Sequence, residues 1–264
     1  NRPGWMKSCR PSCLMDARLW IVPTRVPGRL TAVFLASFPS GPWQANCYLA
    51  AAGVGAECVI VDPGVGASSG VRQLVAANGL IPAGVLLTHG HVDHIASAAQ
   101  LADEWGIPAW IHVDDRELLT DPAAGLGAET APLLNQLLGG RPLTEPKDLR
   151  FFESGVDVAG LTFDVIHAPG HRPGCVMLRT ALPNHDLADQ VVFSGDVLFA
   201  GSVGRTDLPG GDHAVMIDTL RGPVLGLSDT SAILPGHGQQ TPMARERSAN
   251  PYLQADYLGG ALTR

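Results

Sequence analysis

The stretch Thr88-His89-Gly90-His91-Val92-Asp93-His94 places four side chains of metal-binding chemistry within six residues, directly behind the apolar run Ala83-Gly84-Val85-Leu86-Leu87. That run is short, aliphatic and preceded by Pro82, a pattern that predicts a buried strand. Residues 95–105 carry the spacing of an amphipathic helix. The cluster is therefore expected on a strand-to-helix loop, where side chains converge on a point beyond the sheet edge. Imidazole and carboxylate are good ligands for zinc or iron, and a packed loop holds them with little entropy left to lose. Three of the chain's nine histidines fall in these six positions, which sets the cluster apart from a merely polar turn.

A length of 264 residues fits one large domain, or a domain with a modest appendage. With 45% hydrophobic and 16% charged residues, 31 glycines and 21 prolines, the chain is expected to have a well-buried core and many tight turns. A net charge of −7 gives no electrostatic reason to expect a nucleic-acid partner. No apolar run reaches transmembrane length, so no membrane partner is expected. The five cysteines (Cys9, Cys13, Cys47, Cys58, Cys175) are odd in number and scattered, which argues against a disulfide framework and for a cytoplasmic setting. Residues 1–28 are basic, carry four prolines and show no clear periodicity. They read as a poorly ordered N-terminal appendage to a domain spanning residues 29–264.

Within that domain, residues 31–38 and 44–50 read as strands joined by Pro39-Ser40-Gly41-Pro42, and residues 58–62 read as a third, all in an antiparallel meander. Cys47 and Cys58 fit as small core residues. Asp62 ends its strand beside Pro63-Gly64, where it either makes the turn or accepts a hydrogen bond from a ligand histidine. Residues 68–78 are expected to be helical, closed by Gly79. His112 alternates with Trp110 on a further strand and reads as structural. The loop-rich excursion over residues 114–147 is where a substrate-shaping loop could sit.

The later strands repeat one design. Residues 161–166 alternate and end at His167-Ala168-Pro169-Gly170-His171-Arg172-Pro173-Gly174, where His171 in a rigid turn is the stronger ligand candidate and His167 the weaker. Residues 190–196 form an apolar run ending in Asp196, a carboxylate that is costly there unless paired or bound to metal. Residues 231–238 end in Pro235-Gly236-His237-Gly238. Four apolar strands thus end in metal-binding side chains.

Together, His-x-His-x-Asp-His, a later Pro-Gly-His, a strand-end Gly-Asp and a terminal Gly-His resemble the metallo-β-lactamase superfamily over roughly residues 30–240. The resemblance implies an α/β fold, an αββα sandwich of two mixed β-sheets with helices outside. It implies two divalent metal ions, zinc by default with iron or manganese as alternatives. His89, His91 and His171 would hold the first, Asp93, His94 and His237 the second, and Asp196 would bridge them, leaving His167 without a ligand role. A water between two close cations ionises near neutral pH, which makes hydrolysis the expected reaction class. Asp93 would orient that nucleophile and Asp196 would set the spacing of the metals.

Gly204-Arg205-Thr206-Asp207-Leu208-Pro209-Gly210-Gly211-Asp212 and Glu246-Arg247-x-x-Asn250-Pro251-Tyr252 are similar to the short glyoxalase II-like hydrolases. That likeness implies hydrolysis of a thioester such as S-lactoylglutathione, with a small acyl-thiol as the substrate. Arg205 would either neutralise a substrate carboxylate or pair with Asp207 or Asp212. Cys175 stands where serine is commoner and reads as packing. The alternative within the same branch is a persulfide dioxygenase with one iron on His91, His171 and Asp196, and Leu208-Pro209-Gly210-Gly211 tilts the reading toward the hydrolase. A non-catalytic relic is the third reading, and seven intact ligand positions speak against it.

Overall fold

The computed structural model describes residues 18–26, 29–182 and 188–259. The first half of the chain builds one seven-stranded sheet. β1 (Arg18–Val26), β2 (Arg29–Ser40), β3 (Ala45–Ala51) and β4 (Glu57–Val61) pair antiparallel in chain order. Helix α1 (Ala67–Asn78), closed by Gly79 in the left-handed region, then carries the chain over to a parallel neighbour, β5 (Ile81–Leu86). Parallel pairing needs such a crossover, and the next one contains α2 (Val92–Ile95) and α3 (Ala98–Trp105) before β6 (Ala109–Ile111). Helical turns and α4 (Ala131–Leu137) lead to β7 (Leu149–Phe151), which completes the sheet.

The second half builds a six-stranded sheet in the order β15-β14-β11-β10-β9-β8. Its members are β8 (Gly155–Val158), β9 (Leu161–His167), β10 (Val176–Ala181) and β11 (Gln190–Gly195), followed after a small hairpin, β12 (Leu198–Phe199) and β13 (Ser202–Val203), by β14 (Ser231–Pro235) and β15 (Thr241–Pro242). Only β11 and β14 pair in parallel here, and α5 (His213–Thr219) lies in the connection between them. α6 (Met243–Ala249) follows β15.

Side-chain alternation along the strands assigns the layers. Phe34, Leu49, Ile60 and Val85 face out from the first sheet onto Val71 and Leu74 of α1 and Leu101 of α3. Their neighbours Leu35, Tyr48, Val59 and Leu86 face in and meet Phe163, Leu178, Phe193 and Leu234 of the second sheet. Tyr48 and Phe193 touch edge to face, with centroids 5.3 Å apart. On the far side, Met177, Val192 and Ile233 pack against Met216 of α5 and Met243 of α6. The fold is thus an αββα sandwich of two mixed sheets, as the resemblance implied. Among the described residues no helix is long and apolar enough to cross a membrane.

Three local expectations change. Residues 18–26, placed in the N-terminal appendage, form β1 along the whole of β2's first part, and Leu19-Trp20-Ile21-Val22 supplies the β-prone run behind it. The rest of that segment, residues 1–17 and 27–28, lies outside the described residues. The helix expected over 95–105 is broken, because Ser97 is tied to the turn after β4: its N–H donates to Pro63 O at 2.8 Å and its Oγ to Gly64 O at 2.7 Å. His112 lies one residue past β6 rather than within a strand.

Candidate metal centre

The candidate ligands gather at one edge of the sandwich because each follows the C-terminal end of an inner strand. His89 to His94 follow β5, His171 sits between β9 and β10, Asp196 follows β11 and His237 follows β14. Backbone hydrogen bonds stitch these ends together: Val176 N to Thr88 O (2.9 Å), Gly236 N to Gly195 O (2.8 Å) and Asn46 N to Gly236 O (2.7 Å). Close approach demands glycine at two of these points. A Cβ on Gly236 would lie 2.1 Å from Asp196 Oδ1, and Gly195, at φ +48°, would place one 2.4 Å from Thr88 Oγ1.

Five imidazoles share one arrangement, with one ring nitrogen anchored outward and the other turned into the centre. His91 Nε2 donates to Gly125 O (3.1 Å), His171 Nδ1 to Arg205 O (2.7 Å) and His237 Nδ1 to Trp43 O (3.0 Å). His94 Nδ1 donates to Asp62 Oδ2 at 3.0 Å. His89 Nδ1 faces Thr88 Oγ1 at 3.2 Å, and that hydroxyl in turn donates to Asp62 Oδ2 at 2.6 Å. Asp62, at φ +51°, also accepts Thr88 N–H on Oδ1 at 2.8 Å. The carboxylate thus holds the start and the end of the cluster loop, and both openings left to it by its sequence, turn-maker and acceptor for a histidine, describe what it does. Anchoring one nitrogen fixes the tautomer and leaves the other a bare lone pair.

Those inward nitrogens face one another and the carboxylates of Asp93 and Asp196. His91 Nδ1 and His171 Nε2 stand 2.9 Å apart although each ring has already spent its proton elsewhere, so only a cation or an added proton can sit comfortably between them. Among the described residues, His89 Nε2, His94 Nε2 and Asp196 Oδ1 are buried without any hydrogen-bond partner. Asp196 reaches both sides of the centre: Oδ1 lies 3.4 Å from His94 Nε2, and Oδ2 lies 3.6 Å from His171 Nε2 and 3.5 Å from His237 Nε2. Asp93 Oδ2 approaches His237 Nε2 at 3.2 Å and His94 Nε2 at 3.7 Å. Potential ligand atoms converge within 4.8 Å in each of three overlapping sets, His89-His91-His171, His89-His94-Asp196 and Asp93-His94-His237. Such a donor set fits a pair of metal ions.

The electrostatics agree. Burial, reinforced by the neighbouring imidazoles, holds His89 well below the usual histidine range and takes His91 down to about 3, so both rings are neutral ligands at neutral pH. Burial opposes charge on His94 as well, but the carboxylates of Asp196, Asp93 and Asp62 outweigh it and carry the ring up to about 10. His237 is raised against its own burial by Asp93 and Asp196. Asp93 is held below the ordinary carboxylate range by His94 and His237, despite the desolvation that opposes ionisation. The side facing the carboxylates therefore attracts positive charge, which a divalent cation supplies in place of protons.

Other residues singled out in the sequence fall outside this convergence. Arg205 is exposed and held by a two-pronged contact to Asp207, each bond 2.7 Å, while its carbonyl serves His171. His112 and His167 stack with centroids 4.4 Å apart and planes 7° apart, beside Asp114. Parallel rings do not point their in-plane lone pairs at a common ion, and His167 Nε2 is occupied by Pro173 O at 2.8 Å. Cys47 and Cys175 are pushed up by burial, and Cys58 to about 12 for the same reason. Sequence reasoning missed Asp115, Arg172 and Gly125, which back the His91 and His171 side. A lone Asp in a loop-rich stretch and an Arg beside a ligand gave no signal of their contacts.

Residues 40–237 match the family model of the metallo-beta-lactamase superfamily. An uncharacterized protein of Mycobacterium tuberculosis is 40% identical over 84% of this chain and 98% of its own length. The hydroxyacylglutathione hydrolase GloC of Haemophilus influenzae is 32% identical over 75% of this chain and 88% of its own. Among solved structures, the BLEG-1 B3 metallo-beta-lactamase superposes with a TM-score of 0.69 at 35% identity, covering 83% of this chain and 99% of that one. TTHA1623 in a di-iron-bound form gives a TM-score of 0.64 at 33% identity over 82% of this chain and 99% of that one.

Proposed function

We propose, from the premise that this chain belongs to the metallo-beta-lactamase superfamily, that it is a two-metal hydrolase of a small acyl-thiol, a thioester such as S-lactoylglutathione. The observation that carries the reading is the set of inward nitrogens, His89 Nε2 and His94 Nε2 buried without a hydrogen-bond partner, on both sides of a single shared carboxylate, Asp196. Similarity to GloC, named as a hydroxyacylglutathione hydrolase, supports the choice of thioester. We assign zinc, with iron and manganese as the alternatives that elemental analysis distinguishes. When bound, two divalent cations supply Lewis acidity and a coordinated water that ionises near neutral pH.

The chain's own residues do the rest. His89, His91 and His171 would hold the first ion, and Asp93, His94 and His237 the second. Asp196 reaches both groups and would be shared between them. Asp93, at the more open side, would orient a water nucleophile by accepting its hydrogen bond. Arg205 receives a carboxylate of the thiol carrier by exchanging its Asp207 partner for the substrate. The partner we expect is this small acyl-thiol, with no nucleic acid and no membrane; the net charge of −7 gives no electrostatic reason to expect nucleic acid.

The test is thiol release from S-lactoylglutathione by the purified protein under argon. Release that stops on chelation and returns with added zinc or iron is the expected result. No release from metal-loaded protein would overturn the proposal, and oxygen uptake with glutathione persulfide would then favour a one-iron dioxygenase on His91, His171 and Asp196.

A further inference from the structure

The stretch behind the His89-His91-His171 group contains two charged side chains that no catalytic role accounts for. Asp115 lies in the helical turn Val113–Leu119 after β6, and Arg172 directly follows His171. Both are sealed from solvent, with side chains 0% and 3% exposed. Two buried charges are costly to desolvate and persist only where hydrogen bonds use them fully.

Apart from a 3.8 Å ion pair between Arg172 Nη2 and Glu117 of the same helical turn, each bond their side chains make ends on a loop that carries or holds a ligand. Asp115 Oδ2 accepts the N–H of Gly90 at 2.7 Å, the residue between His89 and His91. Asp115 Oδ1 accepts the N–H of Gly174 at 3.1 Å and Nε–H of Arg172 at 3.3 Å, both within three residues of His171. Arg172 Nη1 donates to Pro209 O at 2.5 Å, in the loop whose Arg205 carbonyl holds His171 Nδ1. A separate helical turn, Pro122–Gly125, follows, and its Gly125 carbonyl holds His91 Nε2.

An independent observation supports the clamp. Each of the three loops presents a glycine where the pair packs against it. A Cβ on Gly90 would lie 2.9 Å from Asp115 O, one on Gly174 2.6 Å from Asp115 Cγ, and one on Gly210 2.3 Å from Arg172 Nη1. The backbone can approach these charges only because no side chain intervenes.

We propose that Asp115 and Arg172 are a positioning pair that sets the geometry, and so the metal affinity, of the His89-His91-His171 group by clamping its three supporting loops. The inference rests on the metal-ligand reading of those histidines and is independent of which substrate is cleaved. A planar guanidinium can join Asp115 and Pro209 at once, whereas a lysine ammonium at the end of a flexible stem cannot reproduce that fork. An amide at position 115 would turn an NH₂ toward one of the N–H donors it now accepts.

The experiment uses the full chain loaded with cobalt(II), read by its visible spectrum and by stepwise release to a competing chelator. In Asp115→Asn, release of the more tightly held half of the cobalt should begin at about 10–100-fold lower chelator concentration, the range seen when an outer partner of a ligand is lost. The remaining half should be released as in the wild type, and circular dichroism should be unchanged. A folded Asp115→Asn protein with lowered thermal stability but wild-type release and spectrum would overturn the proposal and leave the pair merely structural. Should that variant not fold, Arg172→Lys decides: a changed cobalt spectrum and earlier release support the clamp, and an unchanged pair of readouts overturns it. A wild-type protein that binds no cobalt would overturn the ligand reading and this inference with it. Failure on S-lactoylglutathione alone would touch only the substrate assignment.

Discussion

His89, His91 and His171 are at most 4% exposed, and in the second group His94 is equally sealed, whereas Asp93 and His237 keep 15% and 27% of their side chains open to solvent. Of the sealed group, His91 and His171 are anchored on the backbone carbonyls of Gly125 and Arg205, and Arg172 braces the second of these loops at Pro209. The open group lies at the rim, where His237 leans on the carbonyl of Trp43 in the β2–β3 turn and packs edge-on against Phe199. One centre thus has a preorganised floor and an accessible lip. On the proposed function, substrate and exchanging metal would arrive over the lip onto a floor already in place.

Substitutions that break this contrast rank by how many groups they reach. Asp196→Ala removes the carboxylate that lies within 3.6 Å of both groups, and should abolish turnover while lowering total metal content, well beyond the roughly 10–100-fold typical of losing an outer partner. Full activity in that variant would end the bridging assignment. Next, His91→Ala and His237→Ala should part company in elemental analysis. After exhaustive dialysis the rim variant is expected to retain one metal equivalent, on the buried histidines, and the floor variant less than one, because only the weaker group remains. Equal losses would mean that the exposure difference carries no difference in affinity.

A smaller effect is expected from Asp62→Asn, which leaves His94 in place but weakens the acceptor for its Nδ1–H, so that metal on that side should bind about 10–100-fold more weakly in chelator competition. His112→Ala marks the lower end. It removes one stacked ring, with an expected loss of about 1 kcal/mol in urea unfolding and no change in metal content. Altered metal binding there would bring the His112-Asp114-His167 trio back as a site.

Asp62 and Asp115 also separate what could be read early from what could not. Asp62 ends an apolar strand beside Pro63-Gly64, and a carboxylate in that position announces itself by its cost. Asp115 sits among polar neighbours in a helical turn, with Asp114 beside it and Glu117 two residues on, and nothing in that local pattern distinguishes it. Its partners Gly90 and Gly174 lie 25 and 59 residues away. The broken helix at Ser97 has the same origin, since its apolar spacing is intact and the interruption comes from the Pro63-Gly64 turn across the fold.

What the sequence alone determined was the alternation that sorts strand residues between two core layers, the delivery of His89 to His94, His171, Asp196 and His237 to strand ends, and through these the family and the fold. These are local patterns, written in neighbouring residues with periods of two or three to four. Only the tertiary structure decided which nitrogen of each ring faces inward, which group is floor and which is lip, and what holds the floor in place. Those outcomes depend mostly on hydrogen bonds between residues far apart in the chain, many of them to backbone atoms that every residue possesses, and so local residue patterns do not record them.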